Sequence, residues 1–211
     1  MKYNNNKLIE KKGDDFMGFE KGKRTGKNWE DVLFIDSLIK NADKKSTGSI
    51  MNITGKEEKD FELRFSTILD ANKGKLNGKL ISQQNKDTTV KQIYCFGKKH
   101  RPDMVINDDG IAIEIKYIKS SFDGVKMALG QSFMYRLRYK FVINVIVISE
   151  ENKDVYEKAL NGEEKDLEDI LKYLANDMNV FTYVVPAFSL KTGQKKVFEV
   201  NALEKISEKT E

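Results

Sequence analysis

Asp103, Glu114 and Lys116 lie close together in the stretch RPDMVINDDGIAIEIKY, and the last two interrupt the apolar run IAIEIKYI. A charge buried in such a run is costly unless it is paired or bound to an ion. Side chains alternate along a strand, so Glu114 and Lys116 share one face while Ile113, Ile115 and Tyr117 share the other. NDDG, between MVIN and IAIE, is a turn signal. A two-residue loop at Asp108–Asp109 sets Asp103 opposite Glu114, whereas a turn at Asp109–Gly110 sets it opposite Lys116 with Glu114 diagonal to it. Either register gathers the three residues on one face. Neighbouring carboxylates repel unless they are protonated or bridged by a cation, and a lysine beside them can orient a water or hold the phosphate it attacks. These are the elements of metal-assisted phosphodiester hydrolysis.

The setting of this triplet distinguishes it. An acidic residue followed two positions later by lysine also occurs at Glu10, Asp43, Glu57, Glu151 and Glu163, each time in a polar segment. Only Glu114 and Lys116 lie in an apolar strand, and only they follow a Pro-Asp, which uses Pro102, one of just two prolines in the chain.

Composition narrows the chemistry further. Cys95 and His100 are the only cysteine and histidine, too few for zinc fingers, iron–sulfur clusters or HExxH proteases. A metal must then sit on oxygen ligands, which favours Mg²⁺ or Mn²⁺. GKRTGKN and GKLNGKL lack the glycine spacing of a phosphate-binding loop, and no GxSxG is present. The net charge of +4 permits nucleic-acid binding, with KKHR at Lys98–Arg101 placed directly before Pro102. The longest apolar run, Phe141–Ile148, is too short for a membrane helix, and no signal segment opens the chain, so a soluble, cytoplasmic protein is expected.

The elements that must position these residues follow from periodicity. Residues 1 to about 27 read as a flexible basic arm. Asn28–Lys40 reads as a helix on a stripe of Trp29, Val32, Leu33, Ile35 and Leu38. KKSTGSIMNITG reads as a loop, and a second helix carries Phe61, Phe65, Ile68 and Leu69, with Gly74 as its stop. The period then becomes that of strands in VKQIYCF, DMVI and IAIEIKYI. Phe122–Tyr139 is predicted to be an amphipathic helix buried through Val125, Leu129, Phe133 and Leu137. FVINVIVI is apolar on both faces, as a central strand is. Asp154–Met178 suggests two helices broken near Gly162, and VFTYVVP and KKVFEV read as closing strands. Strand, crossover helix and strand in succession point to an α/β fold, with a mixed sheet between helices.

RPD, ten residues and then EIK resembles the signature of the PD-(D/E)XK nuclease superfamily, the restriction-endonuclease-like fold. Its core order of helix, three-strand meander, helix and strand is similar to the order read here from about Lys56 to Ser149. On that resemblance residues 1–50 form a basic arm plus helix, 51–150 the nuclease core, and 151–211 helices and strands completing the same domain. It implies that Asp103 and Glu114 bind Mg²⁺, that the carbonyl of Ile115 is a further ligand, and that Lys116 orients or activates the attacking water. A glutamate on the first core helix completes such sites: Glu62 is the first choice, Glu58 the second and Glu30 an outside candidate. Gln131 and Tyr135, a Gln-x-x-x-Tyr pair on one helix face, resemble the pair that borders the site and contacts DNA in RecB-like members. Lys98, Lys99, Arg101, Lys119 and Arg136 are further candidates for nucleic-acid contacts, as are Arg138 and Lys140 where the helix ends. The implied protein is a small Mg²⁺-dependent DNA endonuclease of restriction, defence or recombination type, working as a homodimer. The alternative is a non-catalytic nucleic-acid-binding or assembly protein that keeps the fold.

Overall fold

The structure, a computed structural model, describes residues 23–40, 57–83, 90–95, 97–119, 123–188, 197–201 and 203. The expected basic arm lies largely outside them, as does the whole of the expected loop KKSTGSIMNITG. Five strands form the central sheet: β1 (Leu80–Ser82), β4 (Met104–Ile106), β5 (Ile111–Ile118), β6 (Phe141–Ile148) and β7 (Val180–Pro186), side by side in that order. β1, β4 and β5 are antiparallel, while β5, β6 and β7 are parallel. The sheet is therefore mixed, and helices cover both of its faces.

One face packs against α1 (Gly26–Lys40) and α2 (Glu58–Ala71), the other against α3 (Asp123–Arg136), α4 (Lys153–Leu160) and α5 (Lys165–Met178). The steps from β5 to β6 and from β6 to β7 run the same way across the sheet. Right-handed crossovers then place α3, α4 and α5 on a common face. Alternation along β5 sorts its side chains as the sequence predicts: Ile111, Ile113 and Ile115 join the core under α1 and α2, whereas Ala112 and Ile118 join the one under α3. β6 is buried along its whole length because it has a strand on either side and helices above and below.

Three expectations need correction. VKQIYCF does not enter the central sheet: Ile93–Cys95 (β2) pairs with Lys98–His100 (β3) as a separate two-stranded ribbon, and the neighbour of β4 is Leu80–Ser82. Among the described residues, KKVFEV contributes a single bridge, Phe198 to Val184, in place of a full strand. The third concerns α3: Val125 and Leu129 pack against the core as expected, but the second half of the helix turns a different side inward. Its buried residues are Ala128, Ser132, Tyr135 and Arg136, while Phe133 and Leu137 are 41% and 39% exposed. The cause lies in the sheet beneath, where Glu114, Asn144 and Thr182 are buried polar residues needing partners. Ser132 Oγ lies 3.0 Å from Asn144 Oδ1, Asn144 Nδ2 reaches Thr182 Oγ1 at 3.3 Å, and Tyr135 donates to Glu114. Polar satisfaction outweighed the apolar stripe.

The turn between β4 and β5 is anchored from outside. Asn107, at φ 61°, accepts from Lys79 N at 2.9 Å and donates to Asn28 Oδ1 at 3.1 Å. A β-carbon at Gly110 would lie 2.5 Å from the Ile106 carbonyl and 2.8 Å from Asn28 Oδ1, so only glycine lets α1 approach here. Among the described residues, no helix is long and apolar enough to cross a membrane.

Trp29 is the hinge of the α1 packing. It is 2% exposed, and its ring centroid lies 5.6 Å from that of Phe141 and 5.8 Å from that of Phe181. Its indole N–H is buried without a partner among the described residues. Trp29→Ala is expected to lower stability by about 3–5 kcal/mol in urea unfolding followed by circular dichroism, from lost burial and the cavity left behind. Trp29→Phe gives up no satisfied hydrogen bond and should cost under about 1.5 kcal/mol.

Candidate active site

The site forms where β4 stops short of β5. Ile106 pairs with Ile111 and Met104 with Ile113, and the same register sets Asp103 opposite Glu114. This is the arrangement of the two-residue loop at Asp108–Asp109. Beyond it β5 continues through Ile118, so the N–H groups of Ile115 and Tyr117 face a strand edge that β4 does not cover. Carboxylates take them instead. Ile115 N donates to Asp103 Oδ2 at 2.7 Å and Tyr117 N to Glu58 Oε2 at 3.1 Å.

Glu58 comes from the opposite side of the sheet, reaching around this free edge. Asp60 accepts from the Glu57 N–H at 3.2 Å, which closes the start of α2 and makes Glu58 its first residue. There the helix dipole favours a carboxylate. Phe61 stacks on Tyr117 with centroids 5.1 Å apart and fixes the helix against β5. Glu62, one turn after Glu58, adds its negative charge to the surroundings of Asp103. Both leading candidates on α2 therefore flank the site, and the second choice from the sequence, Glu58, is the one that bonds Lys116. Glu30 does not approach it: its carboxylate accepts from Asn77 Nδ2 at 3.2 Å, beside the buried Asp31 that holds Asn77 N and Gly78 N.

Lys116 is central to the cluster. Its ammonium lies 2.8 Å from Glu114 Oε1 and 2.9 Å from Glu58 Oε1. The other oxygen of Glu114 accepts from Tyr135 Oη at 2.9 Å, so this carboxylate, 2% exposed, is held at both ends. The electrostatics follow from burial and crowding. Burial first, then the charges of Glu114 and Glu62, push the Asp103 carboxyl up to about 8, against the pull of the Ile115 N–H and Lys116. Burial also raises Glu114, with Lys116 and Tyr135 opposing it. For Lys116 burial favours the neutral amine, but Glu114 and Glu58 outweigh it and keep the ammonium charged.

Among the described residues, no three His, Cys, Asp or Glu side chains are gathered closely enough to form a ready-made metal cage. The donor set nevertheless suits a hard divalent cation in its chemistry. Asp103, Glu114 and Glu62 supply oxygens only, and a bound cation would offset the burial and the repulsion that keep Asp103 protonated.

The remaining candidates scatter around this centre. Gln131 lies one turn before Tyr135, with its amide oxygen buried and without a hydrogen-bond partner among the described residues. Lys98, Lys99 and Arg101 are exposed, on or just after β3. Exposed Lys119 follows β5 in a shallow depression lined also by Tyr117, Glu150 and Glu151. Arg136 is not a surface residue: it is 6% exposed and donates to the Tyr139 carbonyl. Arg138 and Lys140 brace the β4–β5 turn, through the Asp108 carbonyl at 3.1 Å and Asp109 at 3.8 Å. Sequence reasoning missed Gln83, which holds the approach to Asp103 by donating from Nε2 to the Pro102 carbonyl at 2.7 Å and from its backbone to the Asp103 carbonyl at 2.9 Å. Nothing in its local pattern marks it, since the contact joins segments twenty residues apart in sequence.

In comparison with known proteins, the chain matches no family model, no curated protein and no solved structure.

The raised carboxyl of Asp103 has a consequence for stability. In the folded protein it keeps a proton that the unfolded chain loses near pH 4, so stability falls as pH rises from about 4 to about 8. Asp103→Asn, whose amide oxygen can still accept from Ile115, is expected to remove about 2–4 kcal/mol of that fall, measured by urea unfolding at pH 5 and pH 8. Tyr135→Phe should cost about 1–3 kcal/mol at either pH, because a buried carboxylate oxygen loses its donor.

Proposed function

We propose that the protein is a metal-dependent nuclease that hydrolyses DNA phosphodiester bonds, a member of the PD-(D/E)XK superfamily with a restriction-endonuclease-like core. One observation carries this reading: Asp103, Glu114 and Lys116 meet at the uncovered edge of β5, joined there by Glu58 and Glu62 from α2. The order α2, β4, β5, α3, β6, with β5 and β6 parallel, supports it.

Asp103 and Glu114, with Glu62, are the residues that would hold Mg²⁺, and the carbonyl of Ile115, between Glu114 and Lys116 in sequence, would be a further ligand. When bound, the ion supplies Lewis-acid stabilisation of the phosphate and lowers the pKa of the attacking water. The residues of the chain do the rest. Lys116, kept protonated between Glu114 and Glu58, acts as a cation: it orients the water or stabilises charge on the phosphate, and does not serve as the proton acceptor. Tyr135 holds Glu114 in place from the far side. Lys98, Lys99 and Arg101, exposed just before Asp103 in the chain, offer charge for the phosphodiester backbone.

The test is cleavage of supercoiled plasmid, linear duplex, single strands, four-way junctions and RNA, each with Mg²⁺, Mn²⁺ or EDTA. Cleavage of DNA with either metal is expected, lost in EDTA and reduced about a hundredfold or more in Asp103→Ala and Lys116→Ala. Activity that survives EDTA or the Asp103 change would sink the mechanism. Calorimetry adds a second readout: Mg²⁺ affinity should strengthen as pH rises toward about 8, because Asp103 must give up its proton to become a ligand.

A further inference from the structure

The two-stranded ribbon of β2 and β3 turns one face to the core and the other to solvent. Ile93 anchors the inner face, buried in the core that also holds Val105, Tyr135 and Tyr139. The register sets Ile93 opposite His100 and Tyr94 opposite Lys99. Cross-strand partners point the same way and successive residues alternate, so Tyr94 and Lys99 share the outer face. Continued by one residue, the same register puts Gln92 opposite Arg101 on that face, and all four side chains are exposed.

Tyr94 is 72% exposed, more than any other large apolar side chain among the described residues. Its surroundings are basic. From Val90 to Arg101 the chain carries Lys91, Lys98, Lys99 and Arg101 and no acidic residue. Lys91 pairs with Asp108 of the β4–β5 turn, while Lys99 and Arg101 flank the ring across the ribbon. An open aromatic ring among cations suits a single strand, whose bases stack on the ring while lysine and arginine take the phosphates. A duplex cannot use the ring in this way, because its bases are already stacked on one another. The ribbon is also tied to the carboxylate cluster: Gln83 donates from Nε2 to the Arg101 carbonyl at 3.2 Å and from its backbone to the Asp103 carbonyl at 2.9 Å. Lys99 precedes Asp103 by four residues, a chain length of at most about 14 Å. We infer that the outer face of the ribbon binds an unpaired stretch of DNA, with a base stacked on Tyr94 and the adjoining phosphates on Lys99 and Arg101. Resting on the nuclease reading, this makes DNA with a single-stranded segment beside the cut the substrate class.

Binding is measured in EDTA, apart from any cleavage, by the fluorescence anisotropy of labelled oligothymidylate of about twelve nucleotides, a length within the usual site size. A blunt duplex of the same length is the comparison. Tyr94→Ala is expected to weaken the single strand about five- to a hundredfold and the duplex less than about twofold, whereas Tyr94→Phe, which keeps the ring, stays within about twofold of the parent protein. Tyr94→Trp adds a direct signature: unlabelled oligothymidylate should quench its indole emission saturably, with the parent protein, whose Trp29 is buried, as the baseline. Absence of single-strand binding would overturn the inference, as would equal single-strand affinity in Tyr94→Ala. So would a duplex that loses as much affinity as the single strand, or emission in Tyr94→Trp that the bound strand leaves unquenched. Failure of the nuclease reading shows differently: no cleavage with Mg²⁺ or Mn²⁺, while Tyr94 still governs oligothymidylate binding, removes the activity and leaves the binding face in place.

Discussion

Strand β5 outruns the antiparallel neighbour that should cover its edge, and the candidate site is the answer to that shortfall. A buried N–H left without a partner costs about 1–3 kcal/mol. At Ile115 and Tyr117 the partner is a carboxylate, Asp103 in one case and Glu58 in the other. Completing the edge in this way concentrates negative charge in a partly buried space. Lys116 compensates part of it, and the Asp103 carboxyl takes up the remainder by holding its proton. The backbone requirement and the proposed chemistry meet at Asp103, which accepts from the Ile115 N–H and is one of the carboxylates proposed to hold a cation.

The second organising constraint lies under α3. Glu114, Asn144 and Thr182 are buried on the sheet face beneath that helix, where each needs a hydrogen-bond partner. The helix meets the need by turning Ser132 and Tyr135 inward, at the cost of leaving Phe133 and Leu137 in solvent. Tyr135 thereby becomes a brace for Glu114. The same turn exposes an apolar strip on α3 beside Ile170 and Tyr173 of α5, so the two arrangements have one cause.

Much of this was legible in advance. Strand alternation alone placed Glu114 and Lys116 on one face and Ile113 and Ile115 on the other, because period two follows from the pleat and needs no tertiary information. The helices and the two long parallel strands were visible as well, since their apolar patterns extend over eight residues or more. Among the short strands Met104–Ile106 was visible in DMVI, but Leu80–Ser82 was not: it spans three residues in a polar neighbourhood, and its place beside β4 depends on a long-range pairing. VKQIYCF has the stronger strand pattern, yet it pairs with the basic KKH segment in its own ribbon.

For the site itself, the sequence by itself determined which residue types share the β4–β5 hairpin and that Asp103, Glu114 and Lys116 must face the same way. It left two turn registers open, and the tertiary structure chose between them, with Asn28, Lys79 and Gly110 holding the turn from α1 and from the segment before β1. Which glutamate reaches the lysine was likewise decided only by packing. Glu58 and Glu62 have equal claims on a helical wheel, and the stacking of Phe61 on Tyr117 sets the rotation and height at which α2 meets β5. Arg136 shows the same limit, being a basic residue at a helix end whose burial follows from how α3 turns to satisfy the sheet. Local periodicity is a property of the backbone and is written along the chain, whereas a contact between distant segments depends on shapes and charges that exist only once the layers have closed.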